Sequence, residues 1–131
     1  MMMPRLWVGL VLAAGGLAGT LLRYAIDGCV YRFVAPVFPW GTFVVNIIGS
    51  FGIGFLWQIF ENAAVAPYLK TLLMIGVLGA FTTFSTFMLE TLQLLRDGEY
   101  KLAVLNMVLS NGLGLLTAFL GFVAARKLGD L

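Results

Sequence analysis

The sequence predicts an all-α membrane protein with four transmembrane helices. Hydrophobic residues make up 61% of the 131-residue chain and charged residues only 11%, whereas an average soluble domain carries about 25% charged residues. The mean hydropathy is +1.01. The charged residues leave four uncharged runs, Leu6–Leu22, Phe33–Phe60, Thr71–Leu89 and Leu102–Ala125. Apolar runs of roughly 18 residues or more are typical of membrane-spanning helices.

The predicted spans cover about residues 6–26, 40–60, 71–95 and 102–125, within one transmembrane domain of residues 1–131. Arg5 before the first run also fits a signal peptide, but the run is long for that and three more spans follow, so we interpret it as a helix. The gaps between spans carry turn-forming prolines and an Asp97-Gly98 pair. They are too short for a soluble catalytic or binding domain.

Several function classes lack the residues they need. The chain has no His and a single Cys, which argues against zinc sites, haem sites and a His-based catalytic triad. It carries no phosphate-binding loop motif, and its net charge of +2 is too small for nucleic-acid binding. We therefore expect neither an enzyme nor an ATP-driven pump.

The charges do not favour one orientation in the membrane. Arg5, Lys70, Arg126 and Lys127 lie on one predicted side, and Arg23, Arg32, Arg96 and Lys101 lie on the other. The positive-inside rule gives no preference for such a balance. Either other features set one orientation, or the chain inserts both ways and opposite copies pair as an antiparallel dimer.

Small residues recur at helical spacing, as in the Gly15 and Gly19 pair of span 1. Such residues let helix backbones approach closely. Packing within one bundle explains most of them. The total of 16 glycines nevertheless suggests more contact surface than one small bundle needs, which predicts an oligomer.

Polar residues inside the spans form two stripes. Span 2 carries Thr42, Asn46 and Ser50 on one face, and span 4 carries Asn106, Ser110 and Thr117 on one face. Polar groups are costly in hydrocarbon and face protein or water. The stripes therefore either line one pathway or join helices by hydrogen bonds. For the Asn46 amide, we favour a role facing a pathway.

The middle of span 3 reads GAFTTFSTF from Gly79 to Phe87. Threonine is a poor helix former, and Ser and Thr side chains compete for backbone hydrogen bonds. The stretch fits a helix broken inside the membrane, whose free carbonyls can bind a cation. It also fits a continuous helix whose hydroxyls bond back to carbonyls four residues earlier.

Two aromatic rings and two charged residues flank this stretch. Phe84 and Phe87 are neighbours on one helix face. Their ring edges are positive, so with amide and hydroxyl donors they suit a small anion, although plain packing also explains them. Glu90 lies one turn beyond Thr86, either in a wet vestibule or bonded to hydroxyls. Arg23 either reaches the interface or makes an electropositive vestibule.

The elements GGLAGTLLRY (15–24), WGTFVVNIIGSF (40–51) and GAFTTFSTF (79–87) resemble the Fluc, or CrcB, family of small fluoride channels. The TTFSTF core is highly specific, and the resemblance covers essentially the whole chain. It implies a passive fluoride-selective channel of the inner cell membrane that exports toxic fluoride. It also implies an antiparallel dual-topology homodimer, with two pores and a structural sodium ion at its centre.

Carried over residue by residue, the resemblance makes Phe84 and Phe87 the ring-edge pair of the fluoride path. Asn46 becomes the pore amide, and Ser110 joins the polar track of span 4, whose face also carries Thr117. The backbone carbonyls of Gly79 and Thr82 become sodium ligands from both subunits. Arg23 matches the basic residue at the end of span 1, with Glu90 as a second vestibule candidate.

Two positions depart from the family pattern. Ala80 stands where members often have a second glycine, and Asn106 stands where some carry an aromatic residue. The alternative function is a small four-span proton-coupled exporter. Such transporters depend on a carboxylate in span 1, whereas here the candidate carboxylate is Glu90 in span 3. A non-transporting membrane scaffold leaves the polar stripes unexplained.

Overall fold

The computed structural model describes residues 4–129. Within that range, four helical spans are long and apolar enough to cross a membrane. They are α1 (Arg5–Val30), α2 (Trp40–Asn62), a third span (Pro67–Arg96) and the last helix (Tyr100–Gly129). The third span contains α3 (Pro67–Lys70), α4 (Leu78–Phe81) and α5 (Phe84–Arg96), so the last helix is α6. This confirms the all-α membrane fold. Residues 1–3 and 130–131 of the predicted domain lie outside the described residues.

Several helices are longer than the predicted spans. Helix α1 continues past residue 26 to Val30, and α6 runs on to Gly129. The predictions followed the apolar runs, but a charged residue ends an apolar run without ending a helix. The first loop therefore begins at Tyr31, and not at Asp27. The predicted turn at Asp97-Gly98 is confirmed, with Gly98 at φ +80°, which glycine adopts readily.

The third span is interrupted at its centre. This confirms the broken-helix alternative, one of the two that the sequence left open. It comprises α3 (Pro67–Lys70), a π-helical stretch (Thr71–Val77), α4 (Leu78–Phe81) and α5 (Phe84–Arg96). Between α4 and α5, Thr82 (ψ 157°) and Thr83 (φ −148°, ψ 111°) are extended. The continuous-helix alternative is wrong, although the Thr82 hydroxyl still donates to the Leu78 carbonyl oxygen at 3.0 Å.

The helices pack as two intimate pairs, α2 along α6 and α1 along the third span. Glycines make the close approaches possible. A Cβ atom at Gly15 would lie 2.8 Å from the Cα of Gly76, and one at Gly19 would overlap the Val77 carbonyl oxygen. A Cβ at Gly121 would overlap the Phe51 carbonyl oxygen in the same way. Packing within one chain therefore accounts for these glycines, including the pair in span 1.

Replacing Gly19 with alanine is expected to destabilise the protein by about 1–3 kcal/mol, the usual cost of overpacking. The added methyl group would displace α1 from the backbone of the third span just before the break. Gly16→Ala is the matched control, because a Cβ at Gly16 has no neighbour within 4 Å. Thermal denaturation in detergent checks both. Equal melting temperatures for the two variants would contradict the prediction.

Candidate functional site

The break in the third span is held open by one side chain of α2. The Asn46 amide nitrogen donates to the Thr83 carbonyl oxygen at 3.1 Å, and the Asn46 carbonyl oxygen accepts from the Thr83 backbone N–H at 2.8 Å. A backbone polar group buried without a partner is costly, so an interrupted helix needs replacement partners. Asn46 supplies both for Thr83. An amide has a second N–H, which remains available to another acceptor.

Helix α5 begins with a capping arrangement typical of threonine. The Thr83 hydroxyl oxygen accepts from the Thr86 backbone N–H at 3.3 Å, and the hydroxyl donates to the Thr86 side-chain oxygen at 2.8 Å. Such a cap satisfies an N–H of the first helical turn. It explains why α5 restarts at Phe84 after two extended residues.

These bonds redirect the N–H groups that a continuous helix would use. In an α-helix the Gly79 carbonyl accepts from the N–H of residue 83, and the Thr82 carbonyl from that of residue 86. Here those two N–H groups are bonded to Asn46 and to the Thr83 side chain. The break therefore frees the Gly79 and Thr82 carbonyls of their helical partners.

A cavity of about 370 Å³ opens beside the break. We call it the break cavity, and its lining includes Asn46, Ser50, Gly79, Thr82, Thr83 and Phe84. Four of the predicted site residues thus lie together. Gly49 makes this approach possible, because a Cβ there would overlap the Thr82 methyl group.

A second cavity, of about 260 Å³, lies beyond Thr83 and is called the vestibule here. Its lining includes Arg23, Asp27, Tyr31, Thr42, Thr86 and Glu90, and it shares Thr83 with the break cavity. The Thr42 hydroxyl donates to one Glu90 carboxylate oxygen at 2.9 Å, while the other oxygen is buried without a partner among the described residues. The structure thus places Arg23 and Glu90 at one cavity, with Glu90 also bonded to a hydroxyl.

Tyr31 adds a hydroxyl to this cavity from the loop that follows α1. Burial raises the pKa of the Tyr31 phenol above its usual value of 10.0. The phenol therefore keeps its proton throughout the physiological pH range and can act as a hydrogen-bond donor there.

The rings of Phe84 and Phe87 contact each other, with centroids 5.8 Å apart and planes tilted by 54°. Their surroundings differ. Phe84 is 71% exposed in the single chain and lines the break cavity, whereas Phe87 is only 5% exposed. The predicted contact is confirmed. The Phe84 ring is therefore accessible beside the break in the single chain.

The polar stripe of α6 makes hydrogen bonds within the bundle. The Ser110 hydroxyl donates to the Asn106 side-chain oxygen at 3.1 Å, and the Thr117 hydroxyl donates to the Gly114 carbonyl at 3.1 Å, with the Ile47 carbonyl at 3.4 Å. Ser110 and Thr117 are not lining residues of the break cavity or the vestibule. Like Phe87, they lie outside the two cavities that bring the other predicted site residues together.

A family model described as "CrcB-like protein, Camphor Resistance (CrcB)" matches residues 10–122. The chain belongs to the CrcB family. It is 47% identical to a protein of Magnetococcus marinus over 121 residues, covering 92% of this chain and 95% of the relative. A Desulforapulum autotrophicum relative is 45% identical over 88% of this chain and 93% of its own. Both relatives carry the name "Fluoride-specific ion channel FluC".

The matched region of this CrcB chain contains the break cavity and the vestibule, and also residues that the sequence did not assign. The Thr83 backbone N–H donates to Asn46, and the Thr83 hydroxyl oxygen accepts from the Thr86 N–H at the start of α5. The position of Thr83, three residues before Thr86, is a recognisable capping pattern. Asp27 and Tyr31 line the vestibule because α1 extends further than its apolar run. Thr91 is 4% exposed and bonds to Asn106, a pairing that no sequence spacing indicates.

Proposed function

We propose that this protein is a passive fluoride-selective ion channel that exports fluoride across the inner cell membrane. The observation that carries the proposal is the name shared by relatives that cover most of the chain. The geometry supports it, because the site offers hydrogen-bond donors beside an interrupted helix. Ion permeation through such a site needs no covalent chemistry, which agrees with a protein that is not an enzyme.

The anion site rests on donors and partial charges. A fluoride ion leaving water loses its hydration, and the protein has to replace it. The free N–H of Asn46, the positive edge of Phe84 and the N-terminus of α5 lie at or beside the break cavity. Aromatic edges and helix N-termini both favour negative charge. This set binds a small anion without a lysine or arginine in the middle of the membrane.

The sodium site rests on the freed carbonyls of Gly79 and Thr82. Hard cations prefer oxygen ligands, and backbone carbonyls serve as such. Among residues 4–129 no cluster of His, Cys, Asp or Glu could hold a metal, so backbone oxygens are the fitting donors. The two carbonyls of one chain leave a cation under-coordinated, which a second copy would remedy. A bound sodium ion would hold the two breaks against each other.

The same surface supports the proposal of an antiparallel homodimer. The break cavity is open on one side, and the exposed Phe84 ring and the accessible Gly79 lie at it. Polar backbone at membrane depth is tolerated where protein or water covers it. A second copy in the opposite orientation supplies that cover, and the balanced loop charges allow both orientations.

Flux from fluoride-loaded liposomes containing purified protein tests the function. Rapid electrogenic fluoride efflux without a pH gradient is the expected result. The alternative, a proton-coupled exporter, draws on the buried Glu90 oxygen that has no partner within residues 4–129. It predicts that efflux requires a proton gradient and is lost in Glu90→Gln. Fluoride retention under both conditions would overturn both functions.

Dual topology predicts that reporter fusions at the C-terminus show both orientations in one membrane. Equal numbers of Lys and Arg on the two sides provide the physical reason. Adding two lysines beside Arg126 is expected to shift the population toward one orientation. A strict single orientation of the unmodified chain would contradict dual topology.

Gly79→Val is expected to abolish dimer formation while leaving the single chain folded. The nearest atom to a Cβ at Gly79 is the Met74 carbonyl oxygen, 3.9 Å away, so the Cβ itself has room within the chain and a conflict is expected with a partner copy or a shared ion. Thr82→Ser keeps the backbone and is expected to retain dimer and flux. Glu90→Gln should leave sodium binding unchanged, since carbonyl ligands need no carboxylate. Light scattering and sodium-dependent melting check these outcomes, and a normal Gly79→Val dimer would contradict the site.

A further inference from the structure

The Ser110 hydroxyl hydrogen is committed to a neighbour by a chain of hydrogen bonds whose direction is set at its far end. The Phe87 carbonyl oxygen can only accept, so the Thr91 hydroxyl donates to it at 2.8 Å. The Thr91 oxygen then accepts from the Asn106 amide nitrogen at 3.0 Å. This turns the Asn106 carbonyl oxygen toward Ser110, whose hydroxyl must donate to it at 3.1 Å.

Burial keeps this chain in place. Asn106 is 1% exposed, Thr91 4% and Phe87 5%. Water is excluded from such groups. An amide turned the other way could still donate to the Ser110 oxygen, but its carbonyl oxygen would face the Thr91 oxygen, whose hydrogen is used by Phe87, without compensation. The orientation of Asn106 is therefore determined by α5, although Asn106 itself lies on α6.

This arrangement changes what Ser110 can offer an anion. A serine hydroxyl has one hydrogen to donate, and its lone pairs repel negative charge. While the hydrogen points at Asn106, Ser110 presents only oxygen to the other side. An anion that uses Ser110 as a donor must first take that hydrogen from Asn106.

We propose that Asn106 is a positioning residue that competes with a passing fluoride ion for the Ser110 hydroxyl and so weakens fluoride binding at that step. The proposal rests on the proposed function, because it takes fluoride as the permeating ion and Ser110 as a donor on its path. Asn106 need not touch the ion. Its effect is transmitted through Ser110, and Thr91 acts one bond further away by orienting the Asn106 amide.

The test is fluoride efflux from liposomes as a function of fluoride concentration, with full-length protein. Asn106→Leu is expected to lower the half-saturating fluoride concentration by about 2- to 10-fold, which corresponds to the roughly 0.5–1.5 kcal/mol of a neutral hydrogen bond. The shift should vanish when Ser110→Ala is also present, since no hydroxyl remains to compete for. A purely structural role for Asn106 would produce the same change in both backgrounds.

Thr91 provides a second route if Asn106→Leu folds poorly. Thr91→Val keeps the shape but removes the acceptor of the Asn106 amide, and it should lower the half-saturating concentration by a smaller factor. Thr91→Ser should behave as the parent. Thr71→Val is the matched control, because the Thr71 hydroxyl makes the same type of bond, to the Pro67 carbonyl at 3.1 Å, on an exposed turn.

The outcomes separate this inference from the proposed function. Absence of fluoride flux in the parent protein would overturn the proposed function and the inference together. Fluoride flux in the parent with an unchanged half-saturating concentration in Asn106→Leu and Thr91→Val would overturn the inference alone. A shift that persists in the Ser110→Ala background would overturn it as well.

Discussion

Replacing either Phe84 or Phe87 with isoleucine is expected to leave a folded protein that conducts fluoride about 100-fold more slowly or less. Isoleucine retains hydrophobic bulk but lacks the positive ring edge that favours an anion. Loss of that interaction on the path would raise the barrier by about 2.7 kcal/mol, at 1.36 kcal/mol per tenfold in rate. The measurement is fluoride efflux from liposomes, with light scattering to compare the oligomeric state of variant and parent.

The two positions differ in the expected cost to stability. Phe84 is 71% exposed in the single chain, so its replacement should hardly affect folding, whereas Phe87 is 5% exposed and its replacement should cost up to about 1.5 kcal/mol. Phe119→Ile is the matched control, because Phe119 and Phe122 form another pair three residues apart, with centroids 6.4 Å apart. Parent-like flux in both Phe84→Ile and Phe87→Ile would mean that the rings serve packing alone.

Asn46→Asp is expected to abolish fluoride flux and to loosen the break. The carboxylate keeps an acceptor for the Thr83 N–H but loses the donor to the Thr83 carbonyl, and an unsatisfied buried group costs about 1–3 kcal/mol. Its negative charge would also face the break cavity, where an anion is proposed to bind. Both effects act in the same direction on flux.

Two further variants separate the charge from the lost bonds. Asn46→Ala removes both hydrogen bonds without adding charge, so it should conduct more than Asn46→Asp and less than the parent. Asn111→Leu removes an exposed amide whose nitrogen donates to the Met107 carbonyl at 2.7 Å, and it should conduct normally. Equal flux in Asn46→Asp and the parent would rule out Asn46 as a pathway amide.

The membrane fold could be predicted from the sequence because it depends on composition along the chain. Long uncharged runs between short charged gaps are sufficient to indicate four spans. The break was one of two alternatives, since threonine can either interrupt a helix or bond back to it. The structure contains both behaviours, with Thr83 extended and the Thr82 hydroxyl bonded back to Leu78.

The candidate site was predictable where its residues lie in one segment or share a distinctive motif. Gly79, Thr82 and Phe84 fall within nine consecutive residues, and the interrupted helix brings them to one cavity. The role of Asn46 as a partner for both backbone groups of Thr83 could not be predicted, because it requires α2 to lie against the break. Gly49 allows α2 to approach the break, because a Cβ there would overlap the Thr82 methyl group. The position of Gly49 in the sequence does not indicate that Thr82 is the residue it contacts.

The sequence alone therefore determined that the chain crosses the membrane four times, that the third span is weak at its centre, and which family it resembles. These properties follow from hydropathy, local backbone preference and a specific motif, all of which are local along the chain. The packed structure determined which hydrogen-bond partner each polar side chain has. Ser110 illustrates the difference: its residue type indicates a donor, but the direction of its bond depends on Asn106, Thr91 and a carbonyl of another helix.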